Sequence, residues 1–228
     1  FCGRRYKIVA PSLHYIRFSL TKKILGLGGQ FFVIMISMLF IFQFINIILS
    51  RVEGPEAVTQ YNIAYKYFNV LNMVANIILT PFWSAFTDAY IKHDGLWMSK
   101  VQRKLEMMWL LCIPISLVML FSCDYFYLFW IGSDIQIPFS LSVTILLYIL
   151  LQILVGVYVY MINGIGKVRI QALIYLFFAL IALPTMNMAC EYWGEIGVLS
   201  VPVIVCLCQA IVGRLQIQKL IKGTARGI

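Results

Sequence analysis

Charge is what this sequence has least of. Asp, Glu, Lys and Arg make up 12% of its 228 residues, against about 25% in a soluble domain. Histidine occurs twice, at His14 and His93, far apart in the chain. The six cysteines (Cys2, Cys112, Cys123, Cys190, Cys206 and Cys208) form no CxxC pair. Cys206 and Cys208 fall on different faces of a helix. Cys123 and Cys190 lie near the same ends of their segments, but small buried hydrophobes are the ordinary reading of such cysteines. With no Cys/His cluster, a metal site has nothing to stand on, and no cofactor is expected. P-loop, HExxH and GxSxG are all missing, so an ATP-driven pump within this chain is not expected. No loop is long enough for a separate extramembrane domain, and the outer carboxylates are dispersed. An enzyme needs acids and bases gathered for proton transfer, so the chain is not expected to be one.

What remains is apolar. The hydrophobic share is 62% and the mean hydropathy +0.90, more than a soluble core of this size could hide. Six apolar stretches recur, at about 27–49, 61–82, 105–123, 139–162, 168–189 and 196–213. Each is near the ~20 residues that a helix needs to cross ~30 Å of hydrocarbon. The period-2 alternation of an outer-membrane barrel is missing. The expectation is an all-α membrane protein of six transmembrane helices. It divides into a basic segment 1–26, a six-helix body 27–213 and a tail 214–228.

The formal charge is +9, and its placement orients those helices. On one side fall Arg4, Arg5, Lys7, Arg17, Lys22, Lys23, Lys92, Lys100, Arg103, Lys104, Lys167, Arg169, Arg214, Lys219, Lys222 and Arg226, which is 16 of 18 basic residues. On the other fall Arg51 with Glu53, Glu56, Asp124, Asp134, Glu191 and Glu195. Lys and Arg accumulate in cytoplasmic loops, so both termini are expected in the cytoplasm. The same charge meets anionic lipid head groups; it does not call for nucleic acid. The opening "FCGRRYKIVAPSLHY" reads as the end of something followed by a basic loop, as in the C-terminal part of a longer protein, and no cleavable signal sequence is visible.

Local signals refine the walk. Gly26, Gly28 and Gly29 in "LGLGGQFF" permit close helix approach. The second helix is expected to continue past Pro81, with a kink there. "GLWMSKVQRKLEMMWLL" predicts a short interfacial helix leading into the third, and "DYFYLFWIGSD" an aromatic outer loop. "NGIGKVR" predicts a tight turn and "CEYWGEIG" a second outer connection.

One stretch breaks the apolar pattern. "YNIAYKYFNVLNMVANIILT", Tyr61 to Thr80, holds Lys66 and four asparagines. At 100° per residue, with Asn62 at 0°, Lys66 falls at about +40°, Asn69 at −20°, Asn76 at −40° and Thr80 at 0°. Asn72 flanks the row near −80°. A lysine at mid-helix costs about 2.5–3.5 kcal/mol on insertion scales, so this row is expected to face helices or water rather than lipid. A structural seam of amides is one reading; a wall of a hydrated cavity for a polar or anionic substrate is the other. The second is preferred because a cation is poor glue without an acid. On this reading no Asp or Glu falls mid-membrane, and Asp88, the nearest in sequence, is ~33 Å along the helix. Gln43 and Asn46 of the first helix are expected on the same space. Gln152, Tyr158 and Asn163 look scattered, and Gln171, Asn187 and Gln209 read as single structural amides.

At these residues a family resemblance enters. "LGGQFF", "GPEAVTQYNIAYKYF" and "TPFWSAFTDAYIKHDGLWMSK" resemble the second half of polysaccharide (O-antigen-type) flippases of the multidrug/oligosaccharidyl-lipid/polysaccharide exporter superfamily. The resemblance spans nearly the whole chain and is most specific from Gly54 to Trp97. It implies one lobe of a two-lobe, twelve-helix transporter in the bacterial cytoplasmic membrane, with the N-terminal lobe missing here or supplied by a partner chain. It implies a lipid-linked oligosaccharide substrate, an undecaprenyl-pyrophosphate glycan, moved by alternating access. Lys66, Asn62, Asn69, Asn76, Gln43 and Asn46 are the expected substrate contacts. The competing readings are a multidrug exporter lobe of the same superfamily, which expects a cavity acid, and a membrane glycan polymerase or acyltransferase.

Overall fold

The computed structural model describes residues 18–132 and 135–225, so Arg4, Arg5, Lys7, Arg17, Arg226, Cys2, His14 and Asp134 lie outside the described residues. It is all helix there: α1 (Phe18–Val52), α2 (Pro55–Ile91), α3 (Gly95–Ile131), α4 (Phe139–Ile165) and α5 (Arg169–Ala225). All five are long and apolar enough to cross a membrane, which makes this a multi-pass membrane protein by length and composition.

The helix ends follow local chemistry. Between α1 and α2 stand only Glu53 and Gly54, whose φ of 97° suits glycine. Pro55 then opens α2 at a position where its missing N–H costs nothing. The α2–α3 turn is closed by Asp94, whose side chain accepts from the Trp97 backbone N–H at 2.9 Å. Gly166, at φ 75° and ψ 16°, ends α4 in the left-handed conformation.

Several elements run longer than their sequence signals. α2 continues through Pro81 to Ile91 as expected. The expected interfacial helix and the third helix are one element, because no proline or glycine interrupts residues 96–113. The aromatic run from Tyr125 to Trp130 forms the last turns of α3 rather than a loop. Ring chemistry suited to a membrane boundary does not by itself end a helix. α1 begins before residue 26 and α5 runs past residue 213.

α5 is 57 residues long and is broken at Gly194 (φ 59°, ψ −140°). Its two arms fold back on each other. A Cβ on Gly197 would run into the Ala189 backbone, and Tyr175 and Cys206 line one cavity. In a straight helix they would stand roughly 46 Å apart.

α4 is the hub, packed on α2, α3 and α5, while α1 lies mainly along α5. In α4's most apolar stretch 56% of residues are buried inside the protein, against 17% for α2 and for α3. The outer faces of α2 and α3 carry exposed Ile77, Phe121 and Phe129, the pattern of helices whose solvent is lipid. α1 and α2 touch each other far less than either touches its main partner, and polar side chains of both line a cavity between them. The cysteines Cys112, Cys123, Cys190, Cys206 and Cys208 are all free, with Cys123 and Cys190 fully buried.

Candidate functional site

The amides of α2 meet partners from two neighbours. Near the α1–α2 connection, Asn62 donates to Asn46 Oδ1 at 2.9 Å, and to the Val58 carbonyl at 2.8 Å one turn back. Farther along, Asn72 donates to Asn69 Oδ1 at 3.2 Å and to Gln152 Oε1 at 3.4 Å. Asn76 donates to both oxygens of Asn72 and accepts from the Tyr160 hydroxyl at 3.2 Å. Gln152 in turn donates to the buried Tyr148 hydroxyl at 2.7 Å. Tyr160, Asn76, Asn72, Gln152 and Tyr148 thus form one neutral hydrogen-bonded chain laced between α2 and α4.

Two adjoining cavities flank this chain. The smaller, about 300 Å³, is lined by Gln43, Asn46, Tyr61, Asn62, Tyr65 and Gln152, among others. The larger, about 480 Å³, is lined by Asn72, Asn76, Gln152, Tyr160, Asn163 and Gln171, with Trp83, Phe42 and Tyr175 supplying aromatic wall. Gln152, Phe42 and Met38 line both. Among the described residues, no charged side chain lines either one. Such walls offer hydrogen-bond donors and acceptors beside ring faces, the chemistry of an uncharged hydroxylated ligand.

Two acceptors in the larger cavity are unspent. Asn163 Oδ1 and Gln171 Oε1 are buried with no hydrogen-bond partner among the described residues, and Gln171 is only 2% exposed. Buried polar atoms are almost always paired. Leaving one unpaired costs about 1–3 kcal/mol. Both residues belong to the wall of one cavity, so a side-chain rotation would turn each oxygen toward a donor there.

Of the residues expected from sequence, Gln43, Asn46 and Asn62 come together at the smaller cavity and Asn76 stands in the larger. Asn69 joins through its bond from Asn72 and lines neither. Lys66 lines neither cavity. It lies on the exposed strip of α2 with Val70, Met73 and Ile77, and it makes no hydrogen bond or ion pair among the described residues.

Sequence reasoning put Asn72 at the flank of the row, read Gln152 and Asn163 as scattered and Gln171 as a structural amide, and did not consider Tyr160. A signal existed: Gln152 and Asn163 are eleven residues apart, about 20° on a helical wheel. Glu106 also entered none of that reasoning. Placed at the mouth of a helix drawn from residue 105, it sits three turns into α3.

No protein-family model, curated protein or solved structure matches this chain. Function therefore rests on the site's own chemistry.

Proposed function

We propose that this chain is one lobe of a transporter that flips lipid-linked oligosaccharide across the bacterial cytoplasmic membrane by alternating access. The observation that carries the reading is the larger cavity: a row of amides and phenols set in an otherwise mostly apolar wall, with no charged side chain among the described residues and two unpaired acceptors on residues of that wall. A glycan's hydroxyl groups are donors for such acceptors. Lys66, outside both cavities and exposed on the face of α2 that carries Val70 and Ile77, would meet the pyrophosphate only where a second lobe covers that face. The two arms of α5 would cross the membrane separately, giving six crossings with both ends on the basic, cytoplasmic side. A second lobe, from a longer chain or a partner, would close the cavity along the weak α1–α2 contact. A cationic drug would instead call for a carboxylate, and neither cavity has one among the described residues.

The test uses the complete transporter in cells lacking their own flippase. Asn163→Leu with Gln171→Leu removes both unpaired acceptors, so the doubly substituted protein should melt no lower than the native one. Surface glycan export should nevertheless fall about tenfold, the loss of ~1.4 kcal/mol. Lys66→Ala should lower export too, with Lys66→Arg retaining more. Native export from the double variant would end the glycan assignment, and efflux of a cationic dye in its place would favour the drug exporter.

Topology has its own check. Single cysteines at Gly54 and Gly194 should react with an impermeant maleimide from outside the cell, and one at Gly95 only after the membrane is opened. The reverse pattern would invert the orientation.

A further inference from the structure

Another polar pocket, sharing no lining residue with the two cavities, lies between the first turns of α3 and the last turns of α5. It measures about 390 Å³, and its walls include Ser99, Gln102, Arg103, Glu106, Arg214 and Lys222. Three cations face one carboxylate, an excess of two positive charges.

The carboxylate is committed elsewhere. Glu106 Oε1 accepts from the Tyr158 hydroxyl at 2.8 Å and from Gln102 Nε2 at 3.0 Å. Both donors come from buried residues, 3% and 6% exposed. Glu106 is therefore a fixed anchor rather than a mobile counter-ion. It holds Arg214 by Nε at 3.4 Å, which leaves the outer edge of the guanidinium for another acceptor. Arg103 and Lys222 have no ion pair among the described residues. A guanidinium fork held from behind, with two further cations beside it, suits a phosphate group.

The surroundings select the source of that phosphate. On the same helical faces, one and two turns inward from Arg103, stand exposed Met107, Leu110 and Leu111. Inward from Arg214 stand exposed Ile211 and Leu207. A charged pocket opening onto an apolar track matches a phosphodiester head group with its acyl chains. Basic pockets between membrane helices bind anionic head groups in this way.

We propose that this pocket is a binding site for the head group of an anionic phospholipid, separate from the transport cavity and independent of what that cavity carries. The test is native mass spectrometry of the full chain in a neutral detergent, with phosphatidylglycerol or phosphatidylcholine added. Phosphatidylglycerol should be retained in preference. Arg103→Gln and Lys222→Gln should each weaken its retention about fivefold, and Arg214→Gln similarly. Lys100→Gln removes the same charge from α3 without touching the pocket, and should change retention less than twofold. A loss with Lys100→Gln equal to the others would show diffuse attraction and overturn the site. Inorganic phosphate at millimolar concentration should not displace the lipid; displacement would reassign the pocket to free phosphate. Should Arg214→Gln unfold the protein, Lys222→Gln still decides, since Lys222 makes no hydrogen bond or ion pair among the described residues.

Discussion

Gly164→Ala lowers the melting temperature of this protein, and Gly164→Val lowers it further. Alanine is normally better than glycine inside a helix by roughly 1 kcal/mol, so the sign is diagnostic. A Cβ at this position runs into the Trp83 carbonyl and comes within 3.2 Å of the Phe86 Cβ. The first obstacle is backbone, and no rotamer change removes it. α2 and α4 must separate, which stretches the bond from Thr87 Oγ1 to the Gly164 carbonyl (2.7 Å) and that from Tyr160 to Asn76 (3.2 Å). Close approach at glycine, with hydrogen bonds across it, is how membrane helices hold together without a hydrophobic driving force between them. Overpacking of this kind costs about 1–3 kcal/mol, and valine belongs at the upper end. Gly28→Ala supplies the comparison: nothing lies within 4 Å of its Cβ, so it should be neutral or stabilising. Thermal melts in detergent decide the matter. A Gly164→Ala protein as stable as Gly28→Ala would mean that the two helices are not in contact there.

Glu106→Leu is the second large effect, and Glu106→Gln should be mild beside it. Leucine leaves the Tyr158 hydroxyl and Gln102 amide, both buried, without their acceptor. At about 1–3 kcal/mol each, the expected loss is ~2–6 kcal/mol. Glutamine keeps an oxygen for both donors and loses only the charge opposite Arg214. That pair is longer, 3.4 Å, and the arginine side chain is 56% exposed, so screening holds its share to about 1 kcal/mol or less. The double cycle with Tyr158→Phe completes the case: once the hydroxyl is gone, Glu106→Leu should cost distinctly less. Additive losses would show that the hydrogen bond contributes nothing.

The helices were legible because ~20 apolar residues in a row leave the backbone little choice in a bilayer. Their ends were not. Tyr125 to Trp130 are as much at home in a helix's last turn as in a boundary loop, and nothing local separates the two. The amide row shows the same limit for the site. Wheel arithmetic grouped Asn62, Asn69 and Asn76 with Lys66, but a wheel knows only its own helix. Where α4 and α1 end against α2 decides which angles are enclosed, and that edge falls between Asn62 and Lys66. Gln171 looked like a lone amide because its cavity partners, Asn72 and Asn76, lie almost a hundred residues away. Only the fold brings α4 and α5 around them.

The outward-facing surfaces of α2 and α3 carry a consequence for every melt proposed above. With 17% of their most apolar stretches covered by protein, loss of tertiary structure in a micelle uncovers few new hydrocarbon groups. The heat-capacity increment that curves the stability of water-soluble proteins is correspondingly damped. Differences between variants will therefore register dispersion and dipole–dipole terms almost undiluted by hydration, and should change little between a cold room and a warm one.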